Sequence, residues 1–479
     1  MKTNQFFKKS GIYYLSSLLA MLFGLISFPI LAKNLSLNEF GMLDLINTIN
    51  SIFIIITSLG AGIVVQQIIY VDDQQNIKKN LGNQFIINTI SFLTFSILFV
   101  FFYKYVLPTS FNNQLSILVI GYLLVFTSAN NFNKYISEIY RFRSWAIRFA
   151  SLQIIPILGM FIIVVFLYQI SALCLINLLK GYIIVNVSYL LLVVCLDSKE
   201  VTLAVNFQTI WRYFKLGLVS MPVYAVILIN RYVDRWFIIR YTSMEDLGLY
   251  SINIKLALLG TGVVAALNNV LLPEFVKNLH SGKRNEINFM IGIAQIVFIC
   301  LSLSIFFFGK EFVSVFSKPR YFENYLTVFF SSIFLFFFFL NHLLHPFILF
   351  ENKVKYMGIA YTMGAVVNIF FNYLFIPKMG YPAAALSSLM SQVTVFFFGV
   401  YLASDHIKHF KMVKELVVAI ASLFAGYIIV NWYDTGVYLS EIILKLLLVL
   451  VTFLFLFLIS KTVSLKGSMT NQYMQINIK

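Results

Sequence analysis

The stretch AKNLSLNEFGMLDL, residues 32–45, returns at 239–252 as IRYTSMEDLGLYSI, at a constant offset of 207. Lys33 falls on Arg240, Ser36 on Ser243, Glu39 on Asp246, Phe40 on Leu247 and Gly41 on Gly248. Ser-x-x-acid is a capped helix start, with Ser as N-cap and the acid at the third helical position. A turn motif used twice would explain that much. It would not explain the shared cation before the Ser, nor the place both copies hold among the apolar segments around them.

Those segments set the fold class. The chain of 479 residues is 60% hydrophobic, 17% aromatic and only 11% charged, against about 25% charged in soluble domains. Its mean hydropathy is +0.87. Such a composition has too little polar surface for water and reads as an all-α polytopic membrane protein. Crossing about 30 Å of hydrocarbon takes about 20 helical residues. About fourteen runs qualify: 11–32, 42–70, 82–103, 114–134, 146–168, 171–196, 214–238, 248–272, 288–309, 324–350, 356–376, 381–403, 413–432 and 441–460. The runs are continuous, not alternating, so helices are expected and barrel strands are not. The first run is too long for a signal-peptide core and reads as a retained span.

The net charge of +16 is a topology signal and not a sign of nucleic acid. With a cytoplasmic N-terminus, roughly 23 Lys and Arg fall in inner segments and roughly 8 in outer ones, as the positive-inside rule requires. Both termini are then cytoplasmic. The cluster Lys134, Arg141, Arg143 and Arg148 reads first as part of this signal; gathering an anionic headgroup from the inner leaflet is its alternative role. Cys174, Cys195 and Cys300 are odd in number and unspaced, so neither a disulfide framework nor a metal site is expected. No P-loop or metal motif is present, and no cofactor is expected.

The two motif copies now have matched positions. One joins the first and second spans, the other the seventh and eighth, both on the outer side. Six spans separate them, so they share one orientation, as parallel repeats about an axis along the membrane normal do. The expected organisation is an N-terminal six-helix lobe at 1–196, a cytoplasmic linker at 197–213, a C-terminal six-helix lobe at 214–403, and two additional helices with a tail at 404–479.

Three stretches carry a resemblance: PILAKNLSLNEFGMLDLINTI at 29–49, YVDRWFIIRYTSMEDLGLYSINIKLAL at 232–258, and NIFFNYLFIPKMGYPAAALSSLMSQ at 368–392. They hold an Asp-Arg pair before a polar turn and Gly-x-Tyr, then an Asn-rich helix, an Ile-Pro-x-x-Gly turn and an Ala-rich helix start. The chain resembles the polysaccharide-exporting branch of the MOP superfamily, and within it the Wzx-type O-antigen flippases. Tyr381-Pro382 stands where a second Gly commonly precedes the Ala run; Pro suits a first helical turn. The resemblance implies two lobes in a V around a central cavity. It implies transfer of an undecaprenyl-pyrophosphate-linked oligosaccharide across the bacterial cytoplasmic (inner) membrane, with a polysaccharide polymerase and a chain-length regulator as partners.

Ionisable residues inside spans cost about 2.5–3.5 kcal/mol each on insertion scales and mark functional sites by default. They are Asp44, Lys180, Arg231, Asp234, Arg235, Lys255 and Lys445. Arg231, Asp234 and Arg235 share a helix face at i, i+3, i+4, where Asp234 neutralises one Arg and leaves one net positive charge. Lys180, Arg231, Arg235 and Lys255 are the expected contacts for a pyrophosphate, which Arg engages in bidentate fashion. Asp234 and Asp44 are the coupling or charge-pairing groups. The blander readings are snorkelling for Arg235 and Lys445 and a helix-start position for Asp44. Asn368 and Asn372 read as interhelical hydrogen-bonding groups. His342 and His345 read as packing residues, with proton carriage as the alternative. The Phe run at 336–339 is expected to pack or face lipid.

A cation-coupled multidrug exporter would need free buried carboxylates, of which only Asp44 and Asp234 are candidates. A membrane enzyme would need a larger polar loop than 197–213 or a carboxylate cluster.

Overall fold

The computed structural model describes residues 2–106, 117–197, 200–323, 325–351, 353–403, 445–447 and 449–450. No strand occurs among them. The helices are α1 (Lys2–Asn34), α2 (Leu37–Ser58), α3 (Ala61–Tyr70), α4 (Ile77–Val106), α5 (Ile117–Phe142), α6 (Ala146–Gln169), α7 (Leu175–Asp197), α8 (Phe207–Tyr241), α9 (Met244–Asn253), α10 (Lys255–His280), α11 (Arg284–Phe307), α12 (Gly309–Phe316), α13 (Leu326–Phe350), α14 (Val354–Met379) and α15 (Pro382–Leu402). Among the described residues ten helices are long and apolar enough to cross a membrane, or eleven if Met244–Asn253 and Lys255–Val264 form one broken span. Helices lie at each of the first twelve expected spans, but the second and eighth are each broken in two, and the helix at the fourth, Ile117–Phe142, is not among the ten. The expected span at 413–432 lies outside the described residues, and that at 441–460 is described only at 445–447 and 449–450.

Both motif copies cap a helix as their sequences dictate. Ser36 accepts from the Glu39 amide at 3.2 Å while Glu39 accepts from the Ser36 amide at 3.1 Å, a complete capping box. Ser243 accepts from the Asp246 amide at 3.0 Å. Lys33 and Arg240 sit in the last turns of the preceding helices, where a cation complements the helix dipole.

The second expected span is not one helix. Leu59 and Gly60 take φ values of 42° and 66° and separate α2 from α3. The break lies against α8: a Cβ on Gly60 would sit 2.3 Å from Ser220 Oγ, and one on Gly217 would sit 2.0 Å from Leu59 O. The apolar run continues through the break, so hydropathy did not mark it.

The chain divides into two compact units, Met1–Ser251 and Ile252–Lys479. In the first, α1 packs on α6, α5 on α7, and α8 against α2, α3 and α4. In the second, α15 packs on α13 and α14, and α13 also on α10 and α11. The second unit holds an aromatic core in which the Phe298 and Phe339 rings stack at 3.8 Å. Phe336, Phe337 and Phe339 are all buried there, so of the two expectations for this run packing holds for these three.

Candidate functional site

Inside the first unit, α2 and α8 bring three charges together. Arg235 is 6% exposed and Asp234 4%. Arg235 donates from Nε to Asp44 Oδ2 at 3.1 Å and from Nη1 to both Asp234 oxygens at 2.9 and 3.1 Å. The same Nη1 reaches the Arg231 carbonyl at 3.0 Å. Tyr250, on α9, donates its hydroxyl to Asp234 Oδ2. The guanidinium also lies 5.5 Å from the Tyr232 ring and 5.8 Å from the Tyr250 ring. Buried charges are tolerated when paired and hydrogen-bonded, and this cluster meets both conditions.

The cluster revises several sequence readings. Arg235 does not snorkel, because two carboxylates hold it inside. Asp44 is no helix-start acid: α2 begins at Leu37, Glu39 is the capping acid, and Asp44 lies two turns in. Asp234 pairs with Arg235 and makes no ion pair with Arg231 among the described residues. With Asp44, whose side chain is 25% exposed, the trio pairs one cation with two carboxylates. Tyr250 was missed as a member; its one sequence mark is the Gly-x-Tyr that follows the second turn.

The other expected contacts lie apart. Arg231 is exposed, with its guanidinium 5.6 Å from the Tyr232 ring, and has no ion pair among the described residues. Lys180, on α7, is likewise exposed and makes no ion pair there. Lys255 opens α10 in the second unit and is half-buried. Lys445 does not snorkel. It is 5% exposed and paired with Glu311 on α12, within the second unit.

The basic cluster of the first unit is a paired network. Lys134 and Arg141 lie 2.8 and 2.9 Å from the two Glu138 oxygens, Arg143 pairs with Glu200, and Arg148 meets Asp197 at 2.6 Å. Arg212 and Tyr213 both reach Asp72. Two guanidinium groups lie near the Trp145 ring, Arg143 at 4.9 Å and Arg148 at 4.4 Å.

In the second unit, Asn372 donates to Asn368 at 2.7 Å along α14 itself, so the pair bonds within one helix and not across two. Asn341 on α13 does cross helices, donating to Gln392 on α15 at 2.9 Å. His342 and His345 are half-buried. Their rings are 5.0 Å apart, and His345 Nε2 lies 3.0 Å from the Tyr361 hydroxyl. No group of three or more metal-ligating side chains occurs among the described residues.

Residues 6–279 match the sequence family described as polysaccharide biosynthesis protein. A protein of Haemophilus influenzae described as Lsg locus putative protein 1 is 24% identical over 281 residues, 58% of this chain and 67% of its own. Among solved structures, an inward closed conformation of the lipid II flippase MurJ superposes with TM-score 0.72 over 92% of this chain and 97% of its own, at 16% identity. An inward-facing multidrug resistance MATE transporter of the MOP superfamily superposes with TM-score 0.61 over 81% and 96%, at 14% identity. The chain therefore has the two-lobe, all-helical fold of these transporters.

Proposed function

The chain belongs to the polysaccharide biosynthesis protein family, and from that premise we propose that it is a flippase carrying a lipid-linked anionic oligosaccharide across the bacterial cytoplasmic membrane by alternating access. The substrate class is an undecaprenyl-pyrophosphate-linked repeat unit of O-antigen or a similar surface polysaccharide. The observation that carries the reading is the Asp44–Arg235–Asp234 cluster within apolar helices, because ionisable groups in membrane-spanning segments mark transport paths.

In this reading Arg231 and Lys180 meet the pyrophosphate first, being cations without an ion pair among the described residues. Arg235 joins by exchange: an arriving phosphate oxygen displaces Asp44 from Nε, while Asp234 keeps hold of Nη1. Binding of the headgroup thereby loosens α2 from α8, and this links substrate to conformation. The lobes at 1–196 and 214–403 are the moving bodies, joined by 197–213 and followed by 404–479. A polymerase and a chain-length regulator take up the product outside, and both termini are cytoplasmic. A cation-coupled drug exporter is disfavoured, since its needed free carboxylates, Asp44 and Asp234, are both engaged by Arg235.

The test is deletion in the native host. Surface polysaccharide should be lost while a complete lipid-linked repeat unit accumulates, and its glycan identifies the substrate. Unchanged polysaccharide with increased drug sensitivity would overturn the reading.

A further inference from the structure

A buried polar seam runs between α4 and α5 in the first unit. On α4, Gln84 and Asn88 are one turn apart. On α5, Thr127, Asn131 and Glu138 fall at i, i+4 and i+11, within about 40° of one another at 3.6 residues per turn. The two stripes face each other, because Asn131 Nδ2 donates to Asn88 Oδ1 at 3.1 Å. Tyr135, between Asn131 and Glu138, ties the same helices by donating to Leu81 O at 2.7 Å. Gln84, Asn88, Thr127 and Asn131 are each no more than 1% exposed.

Five polar atoms along the seam have no partner among the described residues: Gln84 Nε2, Gln84 Oε1, Asn88 Nδ2, Asn131 Oδ1 and Thr127 Oγ1. An unmet polar group in an apolar interior costs several kcal/mol at worst, and buried polar groups are otherwise almost always bonded. The unmet set contains both donors and acceptors. A bare cation would satisfy the oxygens and leave the two amide nitrogens unmet. Water both gives and takes hydrogen bonds, and one buried water makes about three. About two or three waters would complete the set.

We propose that the α4–α5 seam holds a file of ordered water entering from the end that carries Glu138. Lys134 and Arg141, half-exposed and paired with the nearly buried Glu138, form its mouth. From Glu138 to Thr127 is eleven residues, about 16 Å at 1.5 Å per residue, or roughly half the hydrocarbon thickness. The file gives these two helices a polar contact that stays solvated as they shift. It does not depend on which substrate the protein carries.

X-ray radiolytic hydroxyl-radical footprinting of the full chain in lipid nanodiscs, in ¹⁸O-labelled water, reads bound water beside each side chain. After correction for intrinsic reactivity and for exposure, Tyr135 (2% exposed) and Phe92, one turn after Asn88 on α4 (7%), should be oxidised several-fold faster than Phe298 and Phe336 of the second unit (both 0%). Asn88→Leu with Asn131→Leu should bring Tyr135 and Phe92 down to the rate of Phe298. Thr127→Val, a near-isosteric change, should slow them in part if the double variant does not fold. Equal rates at Tyr135, Phe92, Phe298 and Phe336 in the unmodified protein would overturn the proposal.

Discussion

Gly41 and Gly248 meet so closely that a methyl group on either would strike the other's helix. A Cβ on Gly41 would lie 2.2 Å from Met244 O, and one on Gly248 would lie 2.3 Å from Leu37 O. Leu37 and Met244, like Gly41 and Gly248, are 207 positions apart. The contact is reciprocal, as a two-fold relation requires. The repeated turn is therefore not only a cap used twice: its two copies pack on each other through the residue that lets backbones touch.

This reciprocity sets the outcome of substitutions there. Gly41→Ala and Gly248→Ala should each destabilise the protein by about 1–3 kcal/mol, the usual range for overpacking. The double variant should cost less than the two losses added, because either methyl separates the same helix pair. Thermal melting of the detergent-solubilised protein checks this, and full additivity would argue against one shared contact.

Arg235 pairs with two carboxylates, so removing it should be worse than removing either partner. Arg235→Leu should cost about 3–5 kcal/mol, the range for breaking a buried pair. Asp44→Asn should cost less, since the Asp44 side chain is 25% exposed and Asp234 still holds the guanidinium. Asp234→Leu combined with Arg235→Leu should recover part of the loss, which a double-mutant cycle of melting temperatures would measure.

Arg231 and Lys180 separate binding from folding. Arg231→Ala and Lys180→Ala should abolish surface polysaccharide while membrane-inserted protein stays at its normal level, because neither side chain carries an ion pair among the described residues. Arg231→Lys should retain partial activity, keeping the charge but losing the bidentate fork. Normal polysaccharide in both Ala variants would remove these residues from the site.

The buried Lys445–Glu311 pair should show the same asymmetry as the Arg235 cluster. Lys445→Met leaves a nearly buried carboxylate and should destabilise by about 3–5 kcal/mol. Lys445→Met with Glu311→Leu should be far milder. The comparison is again read from melting curves, and a harmless single variant would sink the expectation.

The break at Leu59–Gly60 places a strict demand on both sides of the α3–α8 contact. Gly60→Ala combines a left-handed backbone, unfavourable for Ala by roughly 1–2 kcal/mol, with a Cβ 2.3 Å from Ser220 Oγ. Gly217→Ala should be at least as damaging, because the obstructing atom is the Leu59 carbonyl and cannot rotate away. Folded yield after solubilisation distinguishes them from Gly11→Ala, whose added Cβ meets nothing within 4 Å.

From sequence alone came the membrane class, the helical runs at the first twelve expected spans though not their breaks, the Ser36 and Ser243 caps and the duplicated turn. Hydropathy and capping act over a few residues, so they are legible along the chain. The ionisable residues were also legible as a set, because any charge in an apolar run stands out. Which charge meets which was decided only in the tertiary structure. Asp44 and Arg235 are 191 residues apart, and Lys445 and Glu311 are 134 apart. Pairing at that range depends on the rotation of each helix and the reach of each side chain, which neighbouring helices set. The same holds for the break at Leu59 and the facing amides of Asn88 and Asn131. The repeat offset was written in the sequence; that Gly41 lies on Gly248 was decided by packing, because only there does the missing Cβ matter.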